Sequence, residues 1–216
     1  MPSTPAPRAG FSADGGPWLF PPGDSPRPGV RSPGGAGRPR TAVLFDRDGT
    51  LVEDVPYNGD PGLVRAMPGA RGALDLLRAR GTALGVVSNQ SGVARGLLSR
   101  QQVGAVQRRV EELLGPLDVW AVCPHGPDDG CRCRKPAPGL VEAACGRLGV
   151  PPHRTVVIGD IDADMGAARA AGARGILVPT PVTRPAETSA AGETAPDLLA
   201  AVRTVLRIGA LIGGGS

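Results

Sequence analysis

The sequence predicts an α/β fold in which one parallel sheet lies between two layers of helices. Short apolar runs alternate with segments whose leucines and alanines recur at helical spacing. Three of these runs stop at polar clusters, as strands do where a parallel sheet exposes its carboxyl ends. Because parallel strands are joined by right-handed crossovers, helices should cover both faces of the sheet.

Strands and helices alternate along most of the chain. Predicted strands lie at residues 42–45, 82–87, 118–122, 155–158 and 175–178, and predicted helices at 68–80, 99–114, 138–148 and 162–171. In the first helix, Leu74, Leu76 and Leu77 should point inward. Ser99, with Gln102 three positions later, predicts a capping box. The segments between the motifs are too short for a separate cap domain, so the site should be open.

The two ends of the chain differ from its middle. Residues 1–40 hold ten of the 24 prolines, many glycines, and five arginines against two aspartates. This composition predicts a disordered leader, followed by one catalytic domain at 41–209 and a flexible tail at 210–216. Within the leader, Trp18-Leu19-Phe20 is either a short docking segment or, as we favour, an apolar spot without a role.

Charge and hydropathy restrict the partners. The formal net charge of the 216-residue chain is +4, and the leader carries most of it, so no basic patch for nucleic acid is expected. Apolar stretches are too short for a signal sequence or a membrane span. We therefore expect a cytoplasmic monomer that acts on a small molecule.

Asp46 and Asp48 are the most informative residues. They follow the apolar run 42–45, and because side chains alternate along an extended chain, both carboxylates lie on one side of it. Such a pair can bind a hard cation and still do chemistry, although a lone Asp-x-Asp would more often be a hydrated turn. Later polar motifs reverse that preference: Ser88-Asn89-Gln90-Ser91-Gly92, Arg134-Lys135-Pro136, and Asp160 with Asp162 and Asp164.

In this order the motifs resemble those of the haloacid dehalogenase (HAD)-type phosphatases, over roughly residues 41–205. Three segments are similar to the D-glycero-D-manno-heptose 1,7-bisphosphate 7-phosphatases, namely 46–50, 88–96 and 131–136. Histidinol-phosphate phosphatases share much of this pattern. The resemblance implies a Rossmann-like three-layer sheet of the HAD type. The sequence departs from the pattern at Ile161, where the heptose enzymes have a lysine, and this change bears on substrate affinity and specificity.

The resemblance also implies roles for these residues. Asp46 would attack phosphorus and form an aspartyl-phosphate, while Asp48 would serve as general acid and then general base. Ser88 and Lys135 would stabilise the phosphoryl oxygens. The Mg²⁺ ligands would be the Asp46 carboxylate, the Asp48 backbone carbonyl and the Asp160 carboxylate, with Asp164 behind them. Substrate contacts would come from Arg47, Asp54, Tyr57, Asn89, Gln90, Ser91 and Arg134.

Composition supports Lys135 independently. It is the only lysine in the chain, and the other basic residues counted with it are arginines. An ammonium group is compact enough to touch a carboxylate and a phosphoryl oxygen together, whereas a guanidinium is larger and planar. The alternative is a lysine that survived by chance. Arg134 would hold a second phosphate or a sugar hydroxyl, or would be a solvated loop arginine.

Cys123, His125, Cys131 and Cys133 lie within eleven residues and match the ligand set of a closed tetrahedral zinc site. Disulfides are the alternative, disfavoured by a reducing cytoplasm and by the Cys-x-Cys spacing. A closed site has no position for substrate, so the zinc should shape a small loop that presents Arg134 and Lys135. Cys145 is expected to be a buried apolar residue.

The sequence thus favours a Mg²⁺-dependent phosphatase of a sugar bisphosphate, with heptose 1,7-bisphosphate hydrolysed at its 7-position as the specific expectation. Histidinol phosphate is the alternative substrate. A reading from another class is an inactive zinc-binding module that docks through its leader, although the filled reactive positions argue against it. Asp46→Asn separates the two classes, since only an enzyme needs that carboxylate.

Overall fold

A computed structural model describes residues 15–20 and 41–212. The strands are β1 (Trp18–Phe20), β2 (Ala42–Phe45), β3 (Ala83–Asn89), β4 (Val119–Cys123), β5 (Thr155–Gly159) and β6 (Arg174–Leu177). The helices are α1 (Ala70–Arg78), α2 (Arg100–Leu114), α3 (Gly139–Leu148), α4 (Asp162–Ala171), α5 (Pro185–Ala190) and α6 (Leu198–Ile212). Within the described residues these strands form one sheet in the order β1-β4-β3-β2-β5-β6. All its pairings are parallel except that of β1 with β4.

The sheet has an apolar layer on each face. Side chains alternate along β2, so Val43 and Phe45 enter one core with α1, α2 and α6, while Leu44 enters the other with α3 and α4. Every residue of β2 is buried, as expected for a strand covered on both sides. The predicted three-layer arrangement is therefore confirmed, and the described residues contain no separate cap domain.

The predicted elements are present, with small shifts at their ends. The helix predicted at 162–171 has those bounds, and Ser99 with Gln102 forms the predicted capping box. The prediction for Leu76 is wrong: this residue is 40% exposed, because the helical spacing that buries Leu74 and Leu77 turns Leu76 outward.

Helix α6 is absent from the sequence prediction. Leu198, Ala201 and Val202 recur at helical spacing and are buried against the sheet, and the Asp197 carboxylate accepts a hydrogen bond from the backbone N–H of Ala200 at the first turn. The pattern was thus available in the sequence. The short helix α5 is also absent from the prediction.

Both predicted termini need correction. The leader is not disordered at residues 18–20, because Trp18 buries its ring and the backbone there pairs with β4. The tail prediction is wrong at residues 210–212, which continue α6. The other residues of the predicted leader and tail lie outside the described residues, apart from 15–17. Among the described helices, none has the length and apolar character needed to cross a bilayer.

Candidate active site

Three neighbouring strands bring the polar motifs to one edge of the sheet. Asp46 follows β2, Ser88 lies near the end of β3, and Asp160 follows β5. The backbone N–H of Asp46 still donates to the carbonyl of Ile158 at 2.9 Å, so sheet pairing fixes the aspartate backbone. All three side chains are buried, and they lie at the carboxyl edge where parallel sheets place their sites.

Lys135 lies at the centre of this edge. Its Nζ is 2.9 Å from Asp46 Oδ1 and 2.6 Å from Asp164 Oδ1, and it donates to the Val87 carbonyl at 3.0 Å. Burial alone would lower the pKa of Lys135, but Asp164 and Asp46 raise it above its ordinary value. Lys135 is therefore a buried ammonium group whose three donors all have acceptors.

Asp46, Asp160 and Asp164 form a compact acidic cluster, in which one carboxylate oxygen from each residue lies within 4.8 Å of the others. Burial raises the pKa of Asp46 to about 8, with Lys135 opposing and Asp164 and Asp48 adding to the rise. Burial, followed by repulsion from Asp164, raises the pKa of Asp160 to about 7. One ammonium group does not balance three carboxylates, so the cluster suits a further cation.

The turn after Asp48 is built to bring the backbone close to Asp160. Gly49 has a φ of +75°, and a Cβ there would lie 2.3 Å from Asp160 Oδ2, so a side chain is excluded. The Thr50 hydroxyl lies 3.4 Å from Asp160 Oδ1, and the Thr183 hydroxyl donates to the Asp160 carbonyl at 2.7 Å. Asp160 is thus held from both sides.

Asp48 is held apart from the buried cluster. Arg47 donates to both of its carboxylate oxygens, from Nε to Oδ1 at 2.9 Å and from a terminal nitrogen to Oδ2 at 2.8 Å. Gln90 Nε2 donates to Asp48 Oδ2 at 3.1 Å and to the Ser88 hydroxyl at 2.8 Å. Arg47 is almost fully buried, whereas the Asp48 side chain is 24% exposed. This bidentate grip presents the carboxylate toward solvent.

A cavity of about 180 Å³ opens above these residues. It is lined by Arg47, Asp48, Asp54, Val55, Pro56, Tyr57, Asn89, Gln90, Ser91 and Gly92. Six of the seven predicted substrate-binding residues are among them. Arg134 is not, and its guanidinium lies 3.4 Å from the His125 carbonyl, beside the cysteine loop.

Comparison with known proteins agrees with this geometry. A HAD-hydrolase-like family model matches residues 132–204. The D-glycero-β-D-manno-heptose-1,7-bisphosphate 7-phosphatase of Bordetella bronchiseptica is 35% identical over 143 residues, which are 64% of this chain and 80% of that protein. The Pseudomonas aeruginosa enzyme of the same name is 34% identical over 146 residues, covering 65% and 82%.

The chain belongs to the heptose-bisphosphate phosphatase family of HAD-like hydrolases. A crystal structure of the B. bronchiseptica phosphatase, complexed with magnesium and phosphate, superposes with a TM-score of 0.70 at 29% identity. That superposition covers 78% of this chain and 99% of the other. The fold and the family predicted from the sequence are confirmed.

In this member of the heptose-bisphosphate phosphatase family, the cysteine loop forms a second cluster of candidate metal ligands. The sulfurs of Cys123, Cys131 and Cys133 lie 3.3–3.7 Å apart, and His125 Nδ1 is 3.2 Å from Cys133 Sγ. These separations exclude disulfides, whose sulfurs are about 2.05 Å apart. Hydrogen bonding from Cys133 lowers the pKa of Cys123 to about 5, and the same contact raises the pKa of Cys133, so Cys123 is the thiolate of this pair.

Asn89 and Arg47, two side chains predicted to bind substrate, line the cavity and also make contacts within the protein. Asn89 exchanges two hydrogen bonds with the Lys135 backbone, at 3.2 Å and 3.1 Å, and so fixes the segment that carries the lysine. The Arg47 guanidinium donates to both carboxylate oxygens of Asp48. Sequence spacing did not reveal these contacts, nor that of Thr183 with Asp160, because each depends on how side chains turn at the edge of the sheet.

Proposed function

We propose that this protein is a Mg²⁺-dependent phosphatase that hydrolyses D-glycero-D-manno-heptose 1,7-bisphosphate at the 7-position. The observation that carries the proposal is the division of labour between two carboxylates. Asp46 is buried against the Lys135 ammonium group, while Asp48, two residues later, is presented at the cavity. A nucleophile and a separate acid–base group are what a two-step phosphoryl transfer needs. The substrate assignment comes from the names of the relatives.

Asp46 is oriented to act as the nucleophile. Its Oδ1 accepts hydrogen bonds from Lys135 Nζ at 2.9 Å and from the Arg47 backbone N–H at 2.7 Å. Within the described part of the chain, Oδ2 accepts none, which leaves it open to the site. Attack on phosphorus would break its bond to the sugar oxygen and form an aspartyl-phosphate. The Lys135 ammonium group and the Ser88 hydroxyl would stabilise the phosphoryl oxygens, the first by its charge and the second by a hydrogen bond.

Asp48 would move the protons. It would protonate the departing sugar oxygen, and then take a proton from the water that hydrolyses the aspartyl-phosphate, a contribution of roughly 10²–10⁴-fold. Arg47 and Gln90 fix both oxygens of Asp48 in the direction of the cavity. Asp54, Tyr57 and Ser91 in the cavity wall would bind the substrate. A substrate that extends beyond the cavity would also contact Arg134.

The acidic cluster fits Mg²⁺. Asp46 and Asp160 would hold the ion together with the Asp48 backbone carbonyl, since hard oxygen ligands and open positions for water and phosphate suit this cation. Asp164 already accepts from Lys135 at 2.6 Å, so its proposed role is to position the lysine. When bound, Mg²⁺ would stabilise the negative charge of the transferring phosphoryl group.

The substrate assignment is tested by phosphate release with Mg²⁺ from a panel of both heptose 1,7-bisphosphate anomers, fructose 1,6-bisphosphate and histidinol phosphate. We expect the highest kcat/KM with a heptose bisphosphate. Preference for histidinol phosphate would replace the substrate but keep the chemistry. If metal-loaded protein released phosphate from no substrate of the panel, the result would favour the inactive zinc-binding module. We place the enzyme in the cytoplasm, and we expect it to be a monomer, which gel filtration checks.

The buried carboxylates of Asp46 and Asp160 should make stability depend on pH in a defined direction. An acid whose pKa is higher in the folded protein binds more protons when folded, so stability falls as pH rises between the two pKa values. For Asp46 and Asp160, that interval runs from 3.8 to about 8 and about 7. The metal-free protein should therefore lose stability across this interval, and Mg²⁺, which favours the ionised carboxylates, should offset the loss.

Thermal unfolding with and without Mg²⁺ checks this prediction. The increase in Tm on adding Mg²⁺ should be larger near pH 8 than near pH 5.5, since protons compete with the metal for the carboxylates at lower pH. Asp160→Asn should reduce that increase, while Asp75→Asn on the exposed side of α1 should not. Equal increases at both pH values would count against this metal site.

The cysteine cluster would hold zinc, because three sulfurs and one imidazole nitrogen form a complete tetrahedral set. Elemental analysis should find about one zinc per chain. Cys131→Ser should lose the metal and lower turnover indirectly, since the same loop carries Lys135. Cys145→Ser is the matched control: Cys145 is buried 3.4 Å from the Thr155 hydroxyl, outside the cluster, and this variant should keep its zinc. Full zinc content in Cys131→Ser would contradict the proposed zinc site.

A further inference from the structure

Strand β1 contributes a buried aromatic side chain at one edge of the sheet. Trp18 is 1% exposed, while the next residue, Leu19, is 40% exposed. The indole lies in one buried apolar cluster with Leu98, Val103 and Val122 of β4, the last being its partner in the strand pairing. Without β1, the fully buried strand β4 would be a bare edge of the described sheet.

Leu98 connects Trp18 to the cavity wall. It ends the segment 90–98, called here the substrate loop, whose first three residues line the cavity. The backbone N–H of Leu98 donates to the Gly92 carbonyl at 3.1 Å. A Cβ on Gly92 would lie 2.9 Å from both Leu98 Cδ1 and Tyr57 Cδ1, so both side chains pack against this glycine. Packing is therefore continuous from Trp18 to Tyr57.

The aromatic rings of β1 also face a cation. The Arg100 guanidinium lies 5.1 Å from the ring centre of Trp18 and 5.2 Å from that of Phe20, within the range of cation–π attraction. The Trp18 Nε1 atom is buried without a hydrogen-bond partner. Buried tryptophan N–H groups usually find one, so the indole serves here as a packing surface.

We propose that β1 is a positioning element for the substrate loop: Trp18 holds Leu98 in place, and Leu98 in turn fixes the Gly92–Tyr57 wall of the cavity. Strand β1 would then affect the affinity for substrate without contacting the substrate. This inference rests on the proposed function for its kinetic consequence, but the packing contact can be tested without any substrate.

The kinetic test compares full-length Trp18→Ala with the wild type, using heptose 1,7-bisphosphate. Because a displaced wall weakens binding, we expect KM to rise by about tenfold and kcat to change much less. Leu19→Ala alters the exposed side of the same strand and should behave as wild type. A KM for Trp18→Ala equal to that of the wild type would overturn the proposal.

Leu98→Ala removes the other half of the contact and keeps β1 whole, so it tests the proposal even if Trp18→Ala fails to fold. It should raise KM similarly, and the double variant should be no worse than either single change, because coupled residues are not additive. Additive effects would overturn the proposal.

Limited trypsin digestion supplies a readout that needs no activity. Cleavage after Arg95, inside the substrate loop, should be faster in Trp18→Ala and Leu98→Ala than in wild type or Leu19→Ala, because an unsupported loop opens more often. If wild type releases no phosphate, the proposed function fails, while this digestion still decides on the contact. Equal cleavage rates in all four proteins would overturn it.

Discussion

Replacing Asp46 with asparagine should reduce phosphate release by about 10⁴-fold or more, as removal of an enzyme nucleophile does. The amide has nearly the same shape, and its oxygen can still accept hydrogen bonds from Lys135 and the Arg47 backbone, as Oδ1 does in the carboxylate. It cannot attack phosphorus. The loss should appear in kcat, measured by phosphate release under saturating heptose bisphosphate and Mg²⁺.

The same variant should remain folded, which separates loss of chemistry from loss of structure. Burial raises the pKa of Asp46 to about 8, so its ionised form is unfavourable in the metal-free protein, and a neutral amide removes that strain. We expect Tm without metal to be equal or higher. Asp75→Asn, the same substitution on the exposed side of α1, should keep full activity. Release above about 1% of wild type by Asp46→Asn would point to another nucleophile.

Much of the site could be predicted from sequence because its position follows from the fold. Parallel strands end at one edge, so polar residues after apolar runs had to converge there, and Asp46, Ser88 and Asp160 do. The cysteine cluster was equally predictable, since its four side chains come from a single loop. Both inferences need only local spacing and one rule of topology.

Other features depend on how side chains turn and pack, which spacing does not specify. Arg47 is a residue type that often binds phosphate, yet its guanidinium donates to the adjacent Asp48. Asp164 contacts Lys135 from 29 residues away. The Trp18 strand was missed because the surrounding proline and glycine composition indicates disorder, while its stability comes from tertiary burial that local composition does not record.

Lys135→Met should damage both stability and turnover. The lysine is buried between Asp46 and Asp164, and removing one partner of a buried ion pair leaves an unpaired charge, at a cost of about 3–5 kcal/mol in the free energy of unfolding. Turnover should fall by about 10²–10³-fold, since a fixed positive charge near the phosphoryl oxygens is lost. Urea unfolding and phosphate release measure the two effects.

The cause of that instability predicts its remedy. With the ammonium group gone, Asp46, Asp160 and Asp164 repel one another without an internal counterion, so Mg²⁺ should raise the Tm of Lys135→Met more than that of wild type. Turnover should not return, because the metal cannot replace the lysine's contact with Asp46.

Lys135→Arg should also lose activity: its larger planar group has to fit where the ammonium makes three contacts within 3.0 Å. Arg132→Met, at an exposed position of the same loop, controls for loss of a positive charge and should be stable and active. A Lys135→Met protein as stable as wild type without metal would mean that the acidic cluster is not balanced by this lysine.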